Sequence, residues 1–341
     1  MVGNSFFYNL DNAIDILVPK NGVVVQVGAN NGVEMDEINV HVKAKEMNGL
    51  LIEPIPHLAE QLRENYSDQP QLKIAQVAIT EENGPATMLY RDPENQPENF
   101  HHFHQLGQLK QSQTVSETSL AALKDDPEQY VSEIEVEGKT LQTAFNENNI
   151  TKIDLLQIDV EGYDWHIIKQ IDFEKYKPEV INFEFVHLPE EDRIDTIQYL
   201  CDNGYAPFTL NGLDILAVQK ERLPELVGDQ DLSRYQHYID KGFIKNDDGK
   251  GYENLVYAVA LLHQAADCSS SSIATDVMQF KDNIRSTGAR REPNWAMVAD
   301  AMERMEDLFV DTKSCVQFFN KEMPRLEIIS PELKPSLLIA R

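Results

Sequence analysis

The sequence predicts an α/β fold built on a mostly parallel sheet, and three observations carry that expectation. Up to about residue 220, short β-branched runs alternate with amphipathic segments, the order produced by strands joined through crossover helices. The runs are almost continuously apolar, as in strands covered on both faces. The last two flank Asn211-Gly212, a turn dipeptide that favours a hairpin and so makes the sheet mixed at one end.

Taken in order, a helix is expected over 5–17, a strand over 23–27, a helix over 34–47 and a strand over 49–53. A helix over 56–66 follows, and then a strand over 73–79. Residues 91–115 are polar, rich in Asn, Gln, His and Pro and without sustained period, and are read as a long surface loop. Beyond it come a helix over 141–148, a strand over 153–158, a helix over 165–170, a strand over 180–185, a helix over 192–203, and strands over 206–209 and 215–219. A linker is expected at 221–225, after which helical periodicity dominates at 252–264, 273–284, 294–309 and 312–319. The expected organisation is one domain over 1–220 and a small helical domain over 221–341, a C-terminal extension for substrate, lid or oligomer contacts.

Charge and cysteine content narrow the function classes. The formal net charge is −27, and residues 1–220 carry 15 basic against 37 acidic side chains. Such a surface repels a phosphate backbone, and no basic cluster exceeds Arg290-Arg291, so nucleic acid is not an expected partner. Cys201, Cys268 and Cys315 are odd in number and widely separated, which fits neither a disulfide framework nor a cysteine zinc motif. No apolar run approaches the roughly 20 residues of a membrane span, and no signal segment opens the chain. A cytoplasmic location is expected.

The first candidate site is the strand and turn Val23-Val24-Val25-Gln26-Val27-Gly28-Ala29-Asn30-Asn31-Gly32. Glycine at such a corner lets a ligand approach the backbone closely. About 20 residues on, the next strand ends in Glu53, where ribose hydroxyls could donate to a carboxylate. A nicotinamide dinucleotide uses the same ribose geometry, but its G-x-G-x-x-G turn needs a middle glycine that Gly28-Ala29-Asn30-Asn31-Gly32 lacks.

Taken together, VVVQVGANNG at 23–32, GLLIEP at 49–54, VAIT at 77–80, KIDLLQIDVEGYDWHIIK at 152–169 and INFEF at 181–185 resemble the FkbM-type methyltransferase family. The resemblance covers about residues 20–220. It implies a class I methyltransferase fold, a Rossmann-like sheet of seven mostly parallel strands with helices on both faces, and S-adenosylmethionine as cofactor. It further implies that Gly28, Asn30 and Gly32 cradle the methionine moiety, that Glu53 binds ribose and that Ala78 lies near adenine. Gln26 stands where the family commonly has an acid; its amide can still accept a hydrogen bond from the cofactor's amino group. In the family's second motif, Asp159, Glu161 and Gly162 are expected at the same site.

Methyl transfer to an unactivated hydroxyl needs a base or a metal to manage the proton. Asp159 and Glu161 follow one expected strand and Glu184 and His187 close another, so neighbouring strands would bring all four to one cleft. His187 is read either as general base or as a structural strand-end histidine, and Glu184 as orienting His187, binding acceptor hydroxyls or holding a divalent cation. No spacing is diagnostic of Mg2+ or another metal, and no metal ligand is assigned. His101, His102 and His104 sit in the polar loop without a matching ligand pattern; with Phe100 and Phe103 they suit a lid. The expected activity is O-methylation of a hydroxyl on a sugar, glycan precursor or secondary metabolite. The competing expectation is a noncatalytic binding or assembly protein that keeps the fold, with helical stripes such as Leu255-Val259-Leu262 serving as core or as contacts in a homo-oligomer.

Overall fold

A computed structural model describes residues 10–91, 107–110, 131–209, 214–227, 236–246, 251, 311, 313, 314 and 317. The chain divides into two compact units, one of Ala13–Tyr205 with Asp214–Ala217 and one of Met1–Asn12, Ala206–Leu213 and Val218–Arg341. In chain order the elements are α1 (Leu10–Leu17), β1 (Val23–Val27), α2 (Asn39–Ala44), β2 (Asn48–Ile52), α3 (Pro56–Asn65), β3 (Leu72–Ala75), β4 (Ala78–Ile79), β5 (Gly84–Arg91), β6 (Gly107–Leu109), β7 (Val131–Lys139), α4 (Leu141–Asn148), β8 (Leu155–Ile158), α5 (Asp164–Ile168), β9 (Val180–Glu184), α6 (Glu190–Asp202), β10 (Tyr205–Thr209), β11 (Asp214–Gln219) and α7 (Leu223–Leu226).

Seven strands form a mostly parallel sheet in the order β10-β11-β9-β8-β1-β2-β3, the α/β arrangement that the family resemblance implied. β1 pairs in parallel with β2 and β8, β8 with β9, and β2 with β3. Val24, Val25, Leu50, Leu51, Leu155, Leu156, Ile181 and Phe183 are all sealed from solvent. Consecutive buried residues point to opposite faces, so the central strands are covered on both sides, as their apolar runs predict. β10 and β11 are separated only by residues 210–213, too few for a parallel crossover. The expected Asn211-Gly212 turn lies outside the described residues, as do the three loop histidines and nearly all of the expected C-terminal helices.

Asp154 ties the starts of the central strands together. Its backbone N–H donates to Val23 O at 2.7 Å, its Oδ2 accepts from Val23 N at 2.8 Å, and its carbonyl receives the N–H groups of Glu179 and Val180. Lys152 Nζ sits 2.6 Å from Oδ1 as an ion pair out of hydrogen-bond alignment. Further along, Thr140 caps α4 by accepting from Thr143 N, and Asn149 ends it in the left-handed conformation.

Four expectations are corrected. The run 73–79 is two strands, because the chain leaves the large sheet after Ala75 and β4 pairs instead with β7 in a second sheet of order β4-β7-β5-β6. β5 and β6 bracket the expected loop, so residues 84–91 and 107–109 are strand, and Gly107 lies against Ile55. The helix expected from residue 34 starts at Asn39: Asn31 Oδ1 takes the N–H groups of Val33 and Glu34, and Asp36 Oδ1 takes those of Ile38 and Asn39. Side-chain acceptors of this kind hold the backbone in turns instead of helix. The expected linker at 221–225 is a 3-10 turn followed by α7, with Leu223 buried and Arg222 paired to Glu225.

Asp154→Ala removes a buried charged acceptor from three converging strands. It should lower the unfolding free energy by about 2–3 kcal/mol, read by urea denaturation; a loss under about 0.5 kcal/mol would show that the backbone pairs suffice without it.

Candidate active site

The glycine turn closes on itself. Gly28 N and Ala29 N both donate to Ile52 O, at 3.0 and 2.9 Å, Asn30 N donates to Glu53 Oε2 at 2.9 Å, Asn31 N to Asn30 Oδ1 at 2.7 Å, and Gly32 N to Ala29 O at 2.9 Å. Every backbone N–H from Gly28 to Gly32 therefore has an acceptor within the protein. A pyrophosphate site needs such groups pointing outward at the ligand, and here none is available for that. Asn65 Nδ2 donates to Asn31 O, and Asn39 Nδ2 to Gly32 O and to Tyr66 Oη, which brace the turn from α3 and α2.

Gly28 has φ +80°, and a Cβ on it would stand 1.8 Å from Asp159 O. Only glycine fits, because the exits of β1 and β8 touch there: Asp159 N donates to Val27 O at 2.9 Å. Beside this contact, Glu53 is 5% exposed and uses one oxygen for Asn30 N and the other for Ile55 N. Burial outweighs those two hydrogen bonds and pushes its carboxyl up to about 7.

One step back along the strands lies a row of amides. Gln26, Gln157 and Asn182 are in register across β1, β8 and β9, and all are buried. Asn182 Nδ2 donates to Gln157 Oε1 at 2.9 Å and to Glu37 Oε2 at 3.3 Å; Gln26 Nε2 donates to Asp36 Oδ2 at 3.2 Å. Gln26 Oε1 makes no hydrogen bond among the described residues, and it is the atom that faces the role a strand-end acid would fill. Burial also raises the Asp36 carboxyl above the ordinary carboxylate range, against the pull of Gln26 and of the Ile38 and Asn39 amides.

Two residues beyond that row, on the same faces of β8 and β9, come Asp159 and Glu184. Glu161, in the left-handed conformation at φ +56°, and Gly162 turn the chain into α5. His187 Nδ1 lies 2.8 Å from Glu184 Oε2 and 3.1 Å from Glu161 Oε2, ion-pair distances without hydrogen-bond alignment. Burial opposes the imidazolium, but the two carboxylates outweigh it and push the His187 pKa up to about 10. At neutral pH His187 carries its proton and has no lone pair to receive another. Glu184 is pushed up to about 7 by burial, with His187 pulling the other way and Glu161 adding to the rise. Asp159 is exposed to solvent just past the end of β8. Desolvation by the surrounding protein and then the charges of Glu184, Glu161, Asp164 and Asp214 raise its pKa well above the carboxylate range; since water reaches the side chain, the like charges are the firmer cause.

The structure thus brings together Gln26, Gly28, Asn30, Gly32 and Glu53 in one group and Asp159, Glu161, Glu184 and His187 in another, joined at the Gly28–Asp159 contact. Ala78 is buried in β4, paired with Gly138 in the smaller sheet. Sequence reasoning missed Asp164 and Asp214, whose charges reach the cluster, and Arg193, whose guanidinium donates to Val186 O and Leu188 O and so clamps the backbone on either side of His187. Asp164 opens a helix and carried a signal as a first-turn acid; Arg193 carried none.

An open α/β sheet with a glycine turn and acids at adjoining strand ends is an arrangement in which a nucleotide-like ligand can lie across the strand ends. The Methyltransferase FkbM domain matches residues 26–207, and the chain belongs to this family of S-adenosylmethionine-dependent methyltransferases. No curated protein matches the chain. Among solved structures it is similar to precorrin-6y C5,15-methyltransferase from Geobacter metallireducens GS-15 (12% identity, 64% of this chain and 93% of that one, TM-score 0.31). It is also similar to ribosomal protein L11 methylase from Lactobacillus delbrueckii subsp. bulgaricus (12%, 61% and 75%, TM-score 0.32) and to a SAM-dependent O-methyltransferase from Thermotoga maritima (10%, 61% and 63%, TM-score 0.32). Among the described residues no helix is long and apolar enough to cross a membrane.

Glu53 makes stability pH-dependent in a defined direction. Its folded pKa of about 7 lies above the ordinary 4.5, so the folded state holds the proton through that window while the unfolded state releases it. Stability therefore falls as pH rises from about 4.5 to about 7, by on the order of 3 kcal/mol. Relative to Glu53→Gln, which does not titrate, the wild-type protein should lose that amount between pH 4.5 and pH 7.5 in denaturant titrations. Parallel profiles for the two proteins would mean that Glu53 ionises freely in the folded state.

Proposed function

We propose that this chain transfers the methyl group of S-adenosylmethionine to a hydroxyl oxygen of a sugar, glycan precursor or secondary metabolite. The observation that carries the reading is the pairing at the strand ends: a self-satisfied glycine turn bonded to buried Glu53, in contact with solvent-exposed Asp159 and its acidic neighbours. The turn fits a cofactor without phosphate, and the buried Gln26 Oε1 suits its amino group. Gly28, Asn30 and Gly32 would line the methionine part, Glu53 would accept from the ribose hydroxyls through lone pairs its two amide donors leave open, and Ala78 would lie toward adenine. The bound cofactor supplies an electrophilic methyl group.

The chain's own residues manage the acceptor. Asp159, reachable by solvent and raised in pKa by its acidic neighbours, takes the proton as the hydroxyl oxygen attacks. Glu161 and Glu184 receive hydrogen bonds from neighbouring hydroxyls of a polyol. With no cation bound, His187 is protonated between them, and its charge holds the two carboxylates in place.

Titration calorimetry should show binding of both S-adenosylmethionine and S-adenosylhomocysteine, weakened at least tenfold in Glu53→Ala. If neither binds the wild-type protein, the methyltransferase reading fails and the noncatalytic one takes its place; equal affinity in Glu53→Ala would remove only the ribose assignment. With labelled S-adenosylmethionine and a panel of hydroxyl acceptors, turnover should rise with pH as Asp159 loses its proton, from above the ordinary carboxylate range. Asp159→Asn should keep cofactor affinity and lose about 100-fold or more in turnover together with that pH limb. A retained limb in the variant would assign the proton elsewhere.

A further inference from the structure

We infer that Glu161, Glu184 and His187 form a binding site for a divalent first-row transition metal, with Glu161 Oε2, Glu184 Oε2 and His187 Nδ1 as its protein ligands. The inference is independent of methyl transfer and would hold for a noncatalytic protein. One donor atom from each residue lies within 4.8 Å of the others. The spacings of 2.8 and 3.1 Å at His187 Nδ1 are those of neighbouring ligands around a cation: bonds of about 2.1 Å at right angles place two donors about 3 Å apart.

Binding a cation displaces the proton that His187 carries in its absence, and Nδ1 then offers its lone pair to the metal. Glu184 Oε2 and His187 Nδ1 are sealed from solvent and face each other, yet neither makes a hydrogen bond among the described residues. Buried polar atoms are rarely left so, and a shared cation satisfies both at once. An independent sign comes from Asp164. It is 0% exposed, both of its carboxylate oxygens lack an aligned hydrogen bond among the described residues, and its charge reaches Glu161 and Glu184. Among the described residues no lysine or arginine pairs with Asp159, Asp164 or Glu184. Carboxyl groups crowded this closely repel one another when ionised, and a divalent cation on the triad offsets that repulsion.

The donor set selects the metal. Two carboxylates would suit Mg2+ or Ca2+, whereas an imidazole with them favours Mn2+, Fe2+, Co2+ or Zn2+. Three protein ligands leave positions open on the side of Asp159, which is not a donor and keeps its role toward the acceptor.

Electron paramagnetic resonance of Mn2+ tests this in the full chain after chelator treatment. The six-line signal of aqueous Mn2+ should be lost up to one equivalent per chain and restored by one equivalent of Zn2+ but not by the same amount of Mg2+. Bound Mn2+ in the wild-type protein should show nitrogen-14 modulation from one imidazole, a readout that needs no variant. His187→Ala and Glu184→Gln should each weaken Mn2+ binding at least tenfold, with folding followed by circular dichroism. No saturable loss of signal, loss unchanged in the folded variants, displacement by Mg2+ as effective as by Zn2+, or absence of nitrogen modulation would each overturn the assignment.

Discussion

The site depends on one close approach, where the backbone of Gly28 passes Asp159 with space for a hydrogen and nothing larger. That contact fixes the lateral distance between the exits of β1 and β8. Because the two strands are parallel neighbours, it also fixes what lies past each exit: the turn to Gly32 on one side, Glu161 and the start of α5 on the other. Had Gly28 carried a side chain, the turn would have to swing away from β8, and Glu53, which holds Asn30 N, would have to follow it. The two halves of the candidate site are therefore parts of a single backbone arrangement.

Electrostatics divide those halves. Under the glycine turn the polar groups are mainly neutral: the amides of Gln26, Gln157 and Asn182, with Asp36 and Glu37 reaching them from the following loop. At the ends of β8 and β9 they are carboxylates facing one imidazole. A row of amides carries no net charge and costs less to bury than ions do, and Asn182 donates to Gln157 within it. A group of carboxylates cannot, since each raises the pKa of the next. The protein places its neutral row inside the sheet and its acids at the rim, where Asp159 meets water.

Much of this was legible in the sequence because it follows from local rules. Continuous apolar runs marked β1, β2, β8 and β9, and the acids at their ends were found by asking what stands at a carboxyl edge. What was lost has physical reasons. Apart from Lys73 and Gln76 the run 73–79 is apolar, so the break between Ala75 and Ala78 is marked only by a single amide, and the transfer of β4 to a second sheet went unseen. β7 alternates Ile134 and Val136 with Glu133, Glu135 and Glu137, a half-exposed pattern overlooked beside the strong parallel runs. The early end of the region before α2 is set by the side chains of Asn31 and Asp36, which compete with helix through bonds that no periodicity records. Arg193 was invisible because its task is to hold two carbonyls across a turn, and that contact exists only in the folded chain.

The internal hydrogen bonding of the Gly28–Gly32 turn has a consequence for thermodynamics. A loop that acquires its shape from a ligand must give up conformational freedom when the ligand arrives, and part of the interaction energy goes into that ordering. This turn is already held by Ile52, Glu53, Asn39 and Asn65, so a molecule lying across it meets a finished surface. Association there resembles docking onto a rigid edge, with selectivity set by shape more than by induced closure.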